Sequence, residues 1–177
     1  PCLAGKYCDR PGLFNVSGDC EGGYYCNEGS DTPTPTDGVK GNVCPKGHYC
    51  PPSSDIPIDC EDGTYADITT QSSCFPCPEG YFCSATGGTI IPQLCPSGRY
   101  CPPSTGSIIP QCPPGSYAPN TGNEEISQCL LCKEGRFCST DGLTSPNGVC
   151  SPGFYCYSGA IDSQGTPGVL GGKSGIC

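Results

Sequence analysis

The chain has 177 residues and a formal net charge of −9, from eight Lys and Arg against 17 Asp and Glu. An acidic surface discourages binding to nucleic acid and to anionic membranes. Leu, Ile, Val and Phe make up only about 15% of the residues, below the roughly 20% under which chains fail to pack a core.

Twenty-seven glycines and 21 prolines press the same way, but 19 cysteines stand against them. At that density the composition reads as a disulfide scaffold rather than as disorder, in a protein secreted or held at the cell surface. There is no initiator Met, no signal peptide and no apolar run long enough to cross a bilayer, so the sequence reads as a mature chain or a piece of a longer one, with no membrane insertion in this segment.

The pattern Cys-x-x-Gly-x-Tyr/Phe-Cys/Ala starts at Cys2, Cys20, Cys44, Cys60, Cys77, Cys95, Cys112, Cys132 and Cys150. A period near 18 over nine copies marks a repeat architecture. Proline after cysteine, as at Pro45 and Pro96, presets φ for a type I turn, and glycine at the fourth corner takes the positive φ that other residues resist. Two extended residues follow, bringing an aromatic ring beside a half-cystine. The expected fold is small disulfide-rich repeats, an elongated rod of turns and two- to four-residue hairpins without helices or a substantial hydrophobic core.

Taken in order, residues 1–26 hold two copies. Residues 27–43 form a connector with the run Thr32-Pro33-Thr34-Pro35-Thr36, which favours extended backbone and reads as the best hinge and a place for O-linked sugar at Thr32, Thr34 and Thr36. Residues 44–94 and 95–149 form a superperiod of three copies each. Within it Ala66 and Ala118 replace the last cysteine, and an extra cysteine, Cys74 or Cys129, precedes the next copy. Residues 150–177 are a partial unit whose Gly-rich tail reads as a flexible link or a segment docked on a neighbour. Ile56, Ile58, Ile90, Ile91, Ile108, Ile109 and Ile126 are read as local plugs between repeats, with an exposed contact stripe as the alternative.

Candidate sites are few. Asn15-Val16-Ser17 is an N-glycosylation sequon. Asp59, Glu61 and Asp62 flank Cys60 but lack the regular oxygen spacing of a calcium loop, so no metal or other cofactor is expected, glycans apart. Cys74/Cys77 and Cys129/Cys132 have the Cys-x-x-Cys form of a zinc knuckle, which the six-residue spacing of the other cysteines argues against. His48, the single histidine, sits at a position that varies among the copies, so it reads as surface rather than catalyst. No catalytic set is visible, and enzymatic activity is not expected. The doubled aromatics Tyr24/Tyr25 and Phe154/Tyr155/Tyr157 read as packing against neighbouring disulfides, or as the anchors of a protein ligand.

The stretches Cys60-Glu61-Asp62-Gly63-Thr64-Tyr65-Ala66…Cys74-Phe75-Pro76-Cys77 and Cys112-Pro113-Pro114-Gly115-Ser116-Tyr117-Ala118…Cys129-Leu130-Leu131-Cys132 resemble the ephrin-receptor-like cysteine-rich repeat. They are also similar to the cysteine-rich modules of tumour-necrosis-factor receptors. Such repeats occur in receptors, protist surface proteins and mastigonemes, the hair filaments of flagella. The receptor pairing, laid on this chain, implies Cys60–Cys74, Cys77–Cys95, Cys83–Cys101, Cys112–Cys129, Cys132–Cys150 and Cys138–Cys156. Extended backwards it implies Cys2–Cys20 and Cys8–Cys26, leaves Cys44 and Cys50 to close on each other across the Pro45–Gly47 turn, and leaves Cys177 unpaired or intermolecular. A rival frame joins consecutive copies as Cys8–Cys20, Cys26–Cys44 and Cys83–Cys95. Pro51-Pro52 and Pro102-Pro103, each followed by serine, resemble the hydroxyproline glycosylation sites of algae and plants, with simple chain stiffening as the plain alternative.

The expected function is a structural extracellular glycoprotein, a segment of a disulfide-stapled filament or surface stalk such as a flagellar hair. Its partners would be copies of itself or a longer parent chain. The alternative is a ligand-binding or adhesion ectodomain of a cell-surface receptor.

Overall fold

Each copy of the motif folds as a turn that starts a ribbon. The computed structural model describes residues 2–84 and 91–170, and the backbone of 174–176. Among these, the strands are two or three residues long and pair into eight antiparallel two-stranded ribbons, with one short 3₁₀ turn at Ile126–Gln128. The first strand of each ribbon holds the aromatic position of a repeat, and the second ends just before the next repeat. Lys6–Tyr7 thus pairs with Gly18–Asp19, and Tyr24–Cys26 with Gly41–Val43. In the sixth repeat the ribbon shrinks to one bridge, Arg99 to Gln111.

All nine fourth-position glycines have positive φ, from 76 to 91°. The turn brings the first and seventh Cα atoms to within 5.8–6.0 Å in the seven cysteine-ended copies, inside disulfide reach. The bonds accordingly close within repeats: Cys2–Cys8, Cys20–Cys26, Cys44–Cys50, Cys77–Cys83, Cys95–Cys101, Cys132–Cys138 and Cys150–Cys156. Where Ala66 or Ala118 takes the seventh place, the first cysteine bonds instead to the extra one at the foot of the return strand, as Cys60–Cys74 and Cys112–Cys129.

The receptor-type pairs Cys2–Cys20, Cys8–Cys26, Cys77–Cys95, Cys83–Cys101, Cys132–Cys150 and Cys138–Cys156 are therefore not formed. Nor are Cys8–Cys20, Cys26–Cys44 and Cys83–Cys95 of the rival frame. The closing turn that joins Cys44 to Cys50 operates in every cysteine-ended copy and leaves no sulfur to reach the next one. Cys177 lies outside the described residues.

Consecutive repeats are joined through backbone rather than sulfur. The fourth-position glycine donates its amide to the carbonyl of the next repeat's seventh residue, and its carbonyl accepts the amide of that repeat's first cysteine. In the first compact unit, Pro1–Cys77 with Cys83–Pro92, this double bond joins Gly5 to Cys26 and Cys20, Gly23 to Cys50 and Cys44, Gly47 to Ala66 and Cys60, and Gly63 to Cys83 and Cys77, all at 2.8–3.1 Å. In the second unit, Pro78–Phe82 with Gln93–Cys177, it joins Gly80 to Cys101 and Cys95, Gly98 to Ala118 and Cys112, Gly115 to Cys138 and Cys132, and Gly135 to Cys156 and Cys150.

A second stitch comes from the connectors. The amides of Gly29, Ser53 and Thr70, all at positive φ, donate to the carbonyls of Cys2, Cys20 and Cys44 one repeat back. Gly122, Gly142 and Gly159 do the same for Cys95, Cys112 and Cys132. The residue after each of these accepts the amide of the seventh residue of that repeat, as Gln71 does from Cys50 and Leu143 from Ala118. Buried backbone polar groups are costly unless paired, and here regular pairing stands in for long strands.

The buried apolar set is almost entirely half-cystines, with Ala66, Ala118, Ala160 and Tyr117. The isoleucines are not plugs. Ile56, Ile58, Ile91, Ile108 and Ile126 are exposed, Ile108 at 89%, and Ile109 is half-buried, while Ile90 lies outside the described residues. Disulfides and backbone already fill the space between repeats, so these branched side chains stay at the surface.

The Thr/Pro connector is not a hinge. It closes the second ribbon: Pro35 is fully buried, and a Cβ on Gly41 would meet its ring at 2.5 Å. The Pro33 carbonyl accepts the Glu21 amide and lies 3.5 Å from the Cys20 sulfur. The Gly-rich tail docks back on the second unit. Gly168 packs on the Pro114 carbonyl, Leu170 packs against Cys112, Ala118 and Cys129, and Ser174–Ile176 pairs with Phe154–Cys156.

Candidate functional site

The titratable groups lie on the ribbons and connector loops. His48 and Asp59 face each other across a ribbon, with Nε2 2.8 Å from Oδ1 and Nδ1 3.0 Å from the Lys46 carbonyl oxygen. Asp59 is well exposed, so this is a solvated cross-strand pair. Lys6 pairs with Asp19 in the same manner two ribbons earlier, and Lys40 pairs with Asp31. The Lys6 hydrogen bond, helped by Ser53, holds the Asp19 carboxyl below its ordinary pKa. Lys40 does the same to Asp31 and is itself raised by it. In the ninth connector, the Thr166 hydroxyl and the amides of Thr166, Gln164 and Gly165 lower Asp162. Asp162 thus caps a turn, with Oδ1 2.9 Å from the Gln164 amide and 3.0 Å from that of Thr166.

Around Cys60, Asp59 is turned to His48, and the Glu61 carbonyl accepts both the amide and the hydroxyl of Thr64. Among the described residues no group of three or more His, Cys, Asp or Glu is placed to hold a metal ion. The sulfurs of the Cys-x-x-Cys pairs are spent: Cys74 and Cys77 bond to Cys60 and Cys83, and Cys129 and Cys132 to Cys112 and Cys138. Those sequences are therefore not zinc knuckles.

The sugar-type positions divide by exposure. Asn15, Thr36, Pro52 and Pro103 are exposed, whereas Thr32, Thr34, Pro51 and Pro102 are half-buried. In the sequon, the Ser17 hydroxyl donates to Asp9 Oδ1 at 2.6 Å and accepts the Asp9 amide at 3.0 Å, which holds the Asn15 loop out from the first ribbon. Among the doubled aromatics, Tyr24 and Tyr25 are half-buried in their ribbon. Tyr155 and Tyr157 are over a third exposed and pack edge-to-face on each other at 4.8 Å, with the Tyr155 hydroxyl donating to Glu134.

One concave feature was not legible beforehand. An open cleft of about 440 Å³ lies on the first repeat, lined by the Cys2–Cys8 bond, residues 9–13 and residues 29–31. Beside it Leu13 is 45% exposed and Phe14 fully exposed. The only sequence signal was the doublet Leu13-Phe14 in a chain poor in such residues.

Compared with models of known protein families and with curated proteins, the chain matches none. Nine disulfides in 177 residues suit an extracellular or secreted protein. Among the described residues no helix is long and apolar enough to cross a membrane.

Proposed function

We propose that this chain is a structural extracellular glycoprotein, a segment of a filament or surface stalk of the flagellar-hair kind, and not an enzyme. One observation carries the reading: the same double backbone bond joins every pair of consecutive repeats, so mechanical continuity is built identically at each step. A catalytic protein concentrates unusual groups in one place, whereas here the conspicuous chemistry is distributed evenly along the chain. Each disulfide restricts the unfolded chain and makes up for the missing apolar core. Sugar at Asn15, and at the exposed Thr36, Pro52 and Pro103, would sheathe the connectors. The repeat's resemblance to ephrin-receptor-like modules, which occur in flagellar hairs, is consistent with this role.

A second reading, an adhesion or receptor ectodomain, is favoured by the cleft beside Phe14 and Arg10, since exposed aromatic and arginine side chains are common binding anchors. Negative-stain images of native material decide between them. Fibres containing the chain are expected. Dispersed single particles that capture a soluble partner would replace the first reading with the second.

A further inference from the structure

In four of the described connectors the left-handed residue is the fourth after the repeat's seventh position, and the residue two further on stands exposed. After Thr70, Gly122 and Gly142 that residue is Ser72, Glu124 or Thr144, polar in each case. After Gly12 it is Phe14, which is fully exposed. The other four phenylalanines of the chain, Phe75, Phe82, Phe137 and Phe154, all lie in ribbon strands. Val16 adds apolar surface to the same loop. An apolar ring held out in water gains free energy when something covers it. The residue beside this ring is Asn15 of Asn15-Val16-Ser17, the single Asn-x-Ser/Thr sequence of the chain.

Phe14 and Asn15 line one hollow. With Arg10, Leu13 and Val16 they border about 430 Å³ of open space, built from the loop's own residues 9–17. The loop is held in shape by the Ser17 hydroxyl, which joins Asp9 twice, and by the Ser17 amide, which donates to the Tyr7 carbonyl. We infer that the first N-acetylglucosamine of a glycan on Asn15 packs in this hollow with its C–H face on the Phe14 ring. This rests on the reading of Asn15 as glycosylated and gives that sugar a fixed place. A pyranose presents C–H groups on its faces and hydroxyl and acetamido groups at its edge. The C–H face suits the negative face of an aromatic ring, and the Arg10 guanidinium in the same hollow has donors for the sugar oxygens. The tether selects this occupant. A ligand joined to the wall of its own site meets it at an effective concentration on the order of millimolar or more, so a contact too weak to hold free sugar is populated. The sugar then covers the one connector tip that carries an aromatic ring, as part of the fold.

The test uses the oxidised full chain secreted by a glycosylating host with high-mannose sugar, trimmed by an endoglycosidase to a single N-acetylglucosamine on Asn15, and compares it with Asn15→Gln. NMR should show nuclear Overhauser contacts from the Phe14 ring protons to the C–H protons of that sugar, which should move upfield under the ring current. Amide exchange at Asp9 and Ser17 should be about fivefold slower than in Asn15→Gln, the scale of one aromatic contact. Phe14→Ser gives the tip the kind of residue found at Ser72, and it keeps the fold because Phe14 is exposed. It should abolish both the contacts and the difference in exchange. Sugar on Asn15 that tumbles free of Phe14, with exchange unmoved by Phe14→Ser, overturns the inference and leaves the glycoprotein reading standing. A secreted chain with no sugar on Asn15 overturns both at this site. Phe14 contacts that appear only as concentration rises overturn it in favour of a second copy as the cover.

Discussion

Replacing Gly23 by alanine tests the close approach that the ladder depends on. At Gly23 φ is 91°, and an added Cβ would lie 2.4 Å from the Thr70 carbonyl oxygen and 2.9 Å from its carbon. Left-handed backbone costs alanine about 1–2 kcal/mol, of which the stiffer unfolded chain returns about 0.4–1 kcal/mol. That leaves a net cost of roughly 1 kcal/mol from conformation. Backbone cannot stay at 2.4 Å, so the Thr70 segment must move away by about an ångström. It is held by the Thr70 amide on Cys44 and by the Gln71 carbonyl under the Cys50 amide. Losing both bonds adds about 2 kcal/mol. Gly135→Ala is the control: φ is 77° and nothing lies within 4 Å. Urea unfolding of the oxidised chain, held dilute, should therefore show about 3 kcal/mol lost for Gly23→Ala and about 1 kcal/mol for Gly135→Ala. Amide exchange should rise at Cys50 and Thr70 in the first variant only. Equal losses in the two would refute the claim that packed backbone, rather than turn conformation alone, couples the repeats.

Further outcomes follow from the same geometry. Trypsin should cut after Lys133 or Arg136 in the unreduced protein without releasing a peptide, because the Cys132–Cys138 bond holds the cut loop together. After a second cut by chymotrypsin at Leu143, a fragment that still links Cys138 to Cys156 would reinstate the receptor pairing. The paired change Ala66→Cys with Cys74→Ser should give the fourth repeat the first-to-seventh sulfur bond of its cysteine-ended neighbours. Shortening the loop from a separation of 14 to one of 6 lowers the entropic gain by about 0.7 kcal/mol, measurable by thermal unfolding. If it misfolds, Ala66 does not occupy the place of a half-cystine. Asp162 has its pKa lowered by Thr166 and the loop amides, so its cap is complete above the ordinary aspartate pKa of about 3.9 and is lost as pH falls through the lowered value. Protection from exchange at Gln164 and Thr166, relative to the free-peptide rate at the same pH, should fall on acidification and hold at neutral pH; the reverse order would discard the cap. Asn15→Gln should remove one N-glycan from the protein secreted by a glycosylating host, read by mass.

Much of the fold was legible because it is local. The turn, the aromatic strand and the glycine at positive φ all lie within seven residues, and a period near 18 announced the copies. The pairing of Cys44 with Cys50 was also local. What hid the same pairing elsewhere was a superperiod built on Ala66 and Ala118, which suggested a six-cysteine frame where there are two exceptions to a one-bond rule. The connectors were misread for a different reason. Their order comes from backbone bonds to the preceding repeat, and those leave no trace in side-chain hydrophobicity. Pro35 looked like part of a hinge because nothing in the sequence says that Gly41 makes room for its ring. Ile108 looked like a plug because apolar residues are usually inside. The cleft on the first repeat arises from how two connectors sit over one disulfide, and no single residue type marks it.

The division of labour between sulfur and backbone bears on how the chain would carry load. Among the described residues the disulfides lie within repeats, so no covalent cross-link there other than the chain itself spans from one repeat to the next. Tension that separates two repeats must break the double bond at a fourth-position glycine and the connector stitch over it, each bond worth about 1 kcal/mol. A sulfur bridge, by contrast, needs a reductant. Extension should therefore proceed repeat by repeat, each turn keeping its shape while its contacts to neighbours open, as nearest-neighbour repeat arrays do. Single-molecule pulling of the oxidised chain should release about twelve residues per step in a cysteine-ended repeat near the 18-residue period and only about three in the fourth and seventh repeats, because the residues inside each sulfur loop cannot extend. An oxidised chain that gives no such steps would mean that the bonds run between repeats after all, because a bond across the boundary would lock the connector too.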